Sequence, residues 1–196
     1  MKKAICRHPG AGPRDRLQGF SLVQLMITVA IVAILTGIAI PSYKYVTTSN
    51  RIANEINGLL GDLQYARFAA IKAGQTVTVC ASSNPTVASP TCSVSTNWAT
   101  GWIVFSDTTG TGQFVAGEGK LRDQQPLVGG DTLVGTISGI SFNREGFPVT
   151  TTTAPNNANV TIKLRDPTNN AQFERCIQVG FNGQVLTEKN GTGGCT

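Results

Sequence analysis

Histidine is almost absent from this 196-residue chain, which contains one, His8. A Ser/His/Asp or Cys/His arrangement uses an imidazole as its base, so neither arrangement can form beyond residue 8. A zinc site is disfavoured for the same reason, and no C-x-x-C pair is present to supply thiolate ligands instead. The sequence therefore predicts a protein that is not an enzyme, with no catalytic residues, no metal and no cofactor.

Charged residues are also scarce, at 14% of the chain, and they are unevenly placed. The first 19 residues hold five basic side chains and one acidic side chain, and so carry four of the five net positive charges. The remaining chain is close to neutral. The basic balance of the protein is therefore a property of its N-terminal segment and does not by itself indicate a nucleic-acid partner.

A long uncharged run follows this basic segment: "GFSLVQLMITVAIVAILTGIAIP", from Gly19 to Pro41. As a helix rising about 1.5 Å per residue, the run is about as long as the roughly 30 Å core of a bilayer is thick. The excess of positive charge before it predicts a cytoplasmic N-terminus and places the rest of the chain outside. A secretory signal cut near Gly37-Ile38-Ala39 and a plain single-span anchor are the alternatives.

Four of the five cysteines lie beyond the apolar run, and this even number in an exported region predicts two disulfides. Four cysteines allow three pairings. We predict the sequence-local one, which joins Cys80 to Cys92 and Cys176 to Cys195.

The periodicity after Pro41 predicts first a helix and then strands. Apolar residues recur every three or four positions from Ile52 to Ala70, which indicates a helix with one buried face. Lys72-Ala73-Gly74 is typical of a helix end. We therefore expect a helix from about Phe20 to Ala73. Short β-branched or aromatic segments separated by turn residues then predict one antiparallel sheet packed on the helix, an α+β fold. The segments are "TVTVCA", "GWIVFS", "TLVGT", "GISFN", "NVTIKLR", "QFERCIQVG" and "GQVLTE", with loops at "SSNPTVASPT" and "TTTAPNNAN".

The junction between the basic segment and the apolar run resembles the class III signal of type IV pilins and pseudopilins. Gly19 ends the leader, "FSLVQLM" follows, and Pro41 is the twenty-second residue from Phe20. The resemblance implies that a prepilin peptidase cuts between Gly19 and Phe20 and that Phe20 is then N-methylated. The apolar run would serve first as an anchor in the inner membrane and later as part of a filament core, with Pro41 permitting a bend.

The rest of the chain resembles the GspH/FimT group, which includes FimU-like minor pilins. The resemblance rests on "LLGDLQYARFAAIKAGQTVTVCASS", "GWIVFSD", "ISFNREGFP" and the terminal "CIQVGFNGQV". It implies a pilin-like fold and a minor pilin that assembles with other pilin subunits and helps to initiate a type IV pilus. A type II secretion pseudopilin and a DNA-binding pilus subunit are the alternatives.

The same resemblance implies a division of the chain into four parts. Residues 1–19 are the cleaved leader, 20–40 the membrane and filament-core helix, 41–74 the amphipathic half of the helix, and 75–196 a periplasmic β-rich region. That region would become extracellular in an assembled pilus.

Two departures from the group bear on function. Gln24 stands where most members have a glutamate thought to pair with the N-terminal ammonium of a neighbour, and glutamine cannot neutralise that charge. Gly183-Gln184-Val185-Leu186 stands where DNA-binding members have "GRxR", so both arginines are absent. The cations left for a DNA surface are Arg165, Arg175 and Lys189, which are too scattered in sequence to favour it.

Overall fold

The structure, a computed structural model, describes residues 19–149, 159–193 and 195. The predicted leader lies outside the described residues except for Gly19, and so does the predicted loop 151–159 except for Asn159. The chain divides into two compact units, Met1–Tyr43 and Lys44–Thr196.

One long helix, α1, runs from Leu22 to Ala73 and continues through Pro41. It ends as predicted, because Gly74 adopts a φ of 66° and its amide donates to the carbonyl of Ala70 at 2.9 Å. Only glycine takes this left-handed conformation without strain. The N-terminal part of α1 is long and apolar enough to cross a membrane by length and composition.

Nine strands follow the helix in chain order. They are β1 (Val77–Ala81), β2 (Trp102–Ser106), β3 (Lys120–Gln124), β4 (Thr132–Gly135), β5 (Gly139–Phe142), β6 (Pro148–Val149), β7 (Val160–Arg165), β8 (Arg175–Val179) and β9 (Val185–Lys189).

The strands form two sheets, where the sequence predicted one. The first has the order β3-β2-β1-β5-β6 and the second the order β4-β7-β8-β9, with antiparallel pairing between all neighbours. The α+β class is confirmed. Strand signals in a sequence show which segments are extended, whereas the partner of each strand depends on contacts between distant segments, so the division into two sheets has no local signal.

Two strands, β3 and β6, have no counterpart among the predicted segments. The sequence of β3 is Lys-Leu-Arg-Asp-Gln, and all five side chains are at least partly exposed. It lies at the edge of the first sheet, where no buried face imposes alternation of apolar residues. β6 has two residues and begins with proline, which sheets accept at an edge.

The core lies between the buried stripe of α1 and the two sheets. The stripe is the predicted one and consists of Ile52, Ile56, Leu59, Leu63, Ala66 and Ala70. Both tryptophans are buried within this core. The Trp102 indole donates to Asp62 of α1 at 2.9 Å, and the Trp98 indole donates to the carbonyl of Ile137, which follows β4, at 2.8 Å.

Candidate assembly site

Gly19 and Phe20 precede α1 in non-helical backbone, and the Phe20 side chain is 82% exposed. A methyl group added at Gly19 would meet no atom within 4 Å. Within the described residues the fold therefore imposes no steric requirement for glycine at this position. A requirement for Gly19 would have to come from an external protein such as a peptidase, which remains the prediction.

Every residue from Gly19 to Val46 is exposed in the isolated chain. An apolar surface of this extent is not stable in water, because burial of apolar area is the main favourable contribution to folding. The segment therefore needs an apolar environment, either lipid or other apolar helices.

Gln24 lies in the first turn of α1, which contains no acidic residue. The exposed amide groups of a helix N-terminus carry partial positive charge and are stabilised by a nearby carboxylate. A glutamate at this position would supply that charge, whereas glutamine supplies only a neutral hydrogen-bonding group. The N-terminal turn consequently offers no carboxylate to a cationic partner.

A second polar site joins α1 to the chain between β3 and β4. The Arg51 guanidinium donates two hydrogen bonds to Asp131, with Nε to Oδ2 at 2.6 Å and Nη2 to Oδ1 at 2.7 Å. The Asp131 side chain is fully buried, so the bidentate pair satisfies both carboxylate oxygens away from water. The pair is separated by 80 positions in sequence, and no local pattern predicts it.

Glu55 lies beside this pair, one helical turn from Arg51. Both of its carboxyl oxygens are buried, and in the ionised form neither has a hydrogen-bond donor within the described residues. Burial, a hydrogen bond with Asp131 and the charge of Asp131 raise the pKa of Glu55 to about 8, although Arg51 acts in the opposite direction. At pH 7 Glu55 is therefore mostly neutral.

We expect the protein to lose stability as the pH rises from about 4.5 to about 8. Glu55 ionises near 4.5 in the unfolded chain but near 8 in the folded protein, so between these values the folded state holds a proton that the unfolded state has lost. Thermal melts of the detergent-solubilised chain across this range should show a falling midpoint. Glu55→Gln keeps a donor toward Asp131 and removes the titration, so it should flatten the curve. An unchanged pH profile in this variant would show that another group is responsible.

The structure contains disulfides between Cys80 and Cys92 and between Cys176 and Cys195, with Cα atoms 5.5 and 5.7 Å apart. The first joins β1 to the loop before β2, and the second holds the chain after β9 against β8. Glu174 lies near the second disulfide, but both sulfurs are bonded to each other and offer no thiolate to a metal.

The three cations considered for DNA lie on adjacent strands but do not share a face. Arg175 is paired in register with Leu164 on one side and Lys189 on the other, so these three lie on the same face of the sheet. Arg165 follows Leu164 directly and therefore projects from the opposite face.

Two of these cations are also engaged within the protein. Arg165 forms an ion pair with Glu174, Nε to Oε2 at 2.9 Å. Arg175 donates from Nη1 to the carbonyls of Gln172 and Glu174 at 2.9 and 2.8 Å. They do not combine into a basic patch that could follow a phosphate backbone.

The family model for the type II transport protein GspH matches residues 55–183 of the chain. The match spans about two thirds of the sequence, from Glu55 in α1 to Gly183 in the turn before β9. The chain belongs to the GspH family.

A solved structure agrees with the fold of this GspH-family protein. A crystal structure of the type IV minor pilin FimU of Pseudomonas aeruginosa PAO1 matches with a TM-score of 0.52 and 16% identity, covering 71% of this chain and 89% of FimU. A second crystal form of the same FimU matches with a TM-score of 0.47 and 17% identity, covering 70% of this chain and 90% of FimU. None of the curated proteins matches in sequence. Pilins and pseudopilins are structural subunits that assemble with other pilin subunits.

Proposed function

We propose that this GspH-family protein is a minor pilin, a filament-associated structural subunit that helps to initiate a type IV pilus. One observation carries the proposal: an uncharged, exposed helical segment begins at Leu22, shortly after Gly19, and belongs to the same helix as the start of the family-matched region. A helix that is apolar on all sides is stable both in lipid and among other apolar helices, so one segment can serve before and after assembly.

Processing and placement follow from the same segment. A prepilin peptidase would cut between Gly19 and Phe20 at the cytoplasmic face and leave the anchor on the mature chain. The positive charge before the run favours a cytoplasmic N-terminus, with residues from Pro41 onward on the outer side of the inner membrane. Assembly would then carry this domain to the outside of the cell.

Gln24 favours a rare subunit over the bulk subunit of a shaft. In a shaft, each buried N-terminal ammonium needs a carboxylate nearby, because an unpaired buried charge costs several kcal/mol. A subunit without a carboxylate in its first turn would leave one ammonium unpaired at every repeat. At the tip, little or no subunit lies beyond this one, so no neighbouring ammonium is left without a carboxylate. The Phe20 ammonium of this subunit can still pair with a carboxylate of the next subunit toward the base.

We therefore expect Gln24→Glu to leave pilus number almost unchanged. Deletion of the protein should lower the number of filaments without shortening the core of those that form. Pilus counts by electron microscopy, with subunit stoichiometry from quantitative mass spectrometry of sheared filaments, measure both effects. The wild-type chain should be present at a small fraction of the major subunit. A chain as abundant as the major subunit and distributed along the shaft would contradict the tip assignment.

A type II secretion pseudopilin is the second candidate, favoured by the match to the type II transport protein GspH. The two assignments predict different losses on deletion. A pilin mutant should lose surface filaments and keep exoprotein secretion, whereas a pseudopilin mutant should retain filaments and accumulate exoproteins in the periplasm.

A further inference from the structure

Several exposed apolar side chains lie on the three elements that meet at Arg67, near the C-terminal end of α1. Phe68 is 63% exposed and Ile71 is 49% exposed, both on α1. Phe147 in the β5–β6 turn is 48% exposed, and Phe181 in the β8–β9 turn is 71% exposed. We call these five residues the Arg67 patch. Phenylalanine and arginine are both enriched in protein interfaces relative to the rest of the surface.

The patch is assembled from three elements in direct contact. A methyl group added at Gly146 would lie 2.7 Å from Cδ1 of Ile71, and one at Gly183 would meet the carbonyl of Gly146. Both glycines have a positive φ, 81° and 74°, which permits this close approach. Arg67 then donates from Nη1 to the carbonyl of Gly183 at 2.8 Å and holds the β8–β9 turn against the helix.

Hydrogen bonds within each turn hold the aromatic residues in place. The side-chain oxygen of Asn143 accepts from the amides of Glu145 and Phe147 at 3.0 and 2.9 Å. The side-chain oxygen of Asn182, next to Phe181, accepts from the amide of Gln184 at 3.0 Å. The backbones of such short, bonded turns lose little further freedom on binding, which lowers the cost of ordering them against a partner.

Neither the chain itself nor its membrane is a suitable occupant. The segment 150–158, "TTTTAPNNA", which follows β6 in sequence, has no large apolar side chain with which to cover phenylalanines. Within the second unit, α1 places Ile71 about 40 Å from Lys44 at the standard helical rise. Lipid at the start of that unit is therefore out of reach of the patch.

The charge of the patch indicates the chemistry of the partner. Arg67 has no carboxylate within ion-pair distance among the described residues, and its hydrogen bonds go to the backbone carbonyls of Gly183 at 2.8 Å and Asn182 at 3.4 Å. Arg144 is neutralised by Glu145 at 2.7 Å. The patch therefore presents aromatic rings with uncompensated positive charge, which is complementary to an apolar surface edged by carboxylates.

We propose that the Arg67 patch docks a neighbouring subunit of the filament through an apolar surface edged by aspartate or glutamate. This assignment rests on the proposed function, because the filament supplies the partner. Aromatic rings with arginine can also stack on single-stranded nucleic acid, so DNA is a distinct outcome of the test.

Photocrosslinking in filament-producing cells tests the proposal. Benzoylphenylalanine replaces Phe181 in the full-length chain, and the matched control carries it at Val94, which is 88% exposed and lies in the loop beyond the Ala81 end of β1. We expect a Phe181 adduct with another pilin-type subunit, mapped to a segment that contains Asp or Glu, and no such adduct from Val94.

The outcomes separate this assignment from the proposed function. If the chain is found in sheared filaments but Phe181 gives no adduct, an adduct equal to that of Val94, or an adduct with DNA, the docking assignment is wrong and the pilin assignment stands. An adduct that maps to a segment of the partner without Asp or Glu would remove the acidic-partner argument and overturn the proposal as stated. If the chain is absent from filaments, the proposed function fails, and the assigned occupant fails with it.

Discussion

The Gly19→Glu variant is expected to remain an uncleaved precursor and to be absent from filaments. A peptidase that requires glycine before its cut has no room for a longer side chain, so we expect processing to be abolished and not merely slowed. The fold should not be affected, because a side chain at Gly19 meets no atom within 4 Å. N-terminal sequencing and intact mass of the membrane-purified protein measure the result, and the wild-type chain should begin at Phe20.

Gly58→Glu provides the matched control for this variant. Gly58 is exposed on α1 and likewise has open space around it, so the same substitution there adds the same charge without touching the cut. Its precursor should be processed like the wild type. A wild-type mature chain that began at Ile40 would mean that an ordinary signal peptidase had removed the apolar run, and the pilin assignment would be lost.

Removal of either disulfide is expected to lower the free energy of unfolding by roughly 3 kcal/mol. The bonds close loops with sequence separations of 12 and 19, and the chain-entropy model gives about this value for loops of such length. Cys176 and Cys195 are fully buried, so alanine is the appropriate replacement for this pair. Urea unfolding of the detergent-solubilised chain, with Cys176→Ala and Cys195→Ala combined, measures the effect.

Two further measurements make this prediction specific. Dithiothreitol should destabilise the wild type, but it should have no effect on a variant that lacks all four of these cysteines. Non-reducing peptide mapping of the oxidised protein should recover Cys80 linked to Cys92 and Cys176 linked to Cys195. A crossed pair, such as Cys92 linked to Cys176, would refute the assignment.

The success of the sequence-based predictions differs between local and non-local features. The end of α1 was predictable because Gly74 is a local signal, and the buried stripe was predictable because helical periodicity records which face is covered. β3 was not predictable, because an exposed edge strand has no buried face and therefore no pattern of apolar residues. The fold class followed from the elements, whereas the division into two sheets did not.

The candidate sites show the same distinction. Gly19, Phe20 and Gln24 stand out in the sequence because a processing signal is read as a linear motif. Glu55 and Asp131 do not, because the chain brings them together only through folding. The Arg67 patch was missed for a similar reason: single exposed phenylalanines are common, and only their convergence from three elements is informative.

The fluorescence of the two buried tryptophans can be used to follow the folding of the domain. Trp102 reports on the junction of α1 with the first sheet through Asp62, and Trp98 reports on the attachment of the loop before β2 to the β4 region through Ile137. The chain has no other tryptophan to contribute background emission. Replacing one or the other with phenylalanine therefore yields two single-fluorophore proteins, and stopped-flow refolding of the pair would reveal whether the helix or the second sheet docks first.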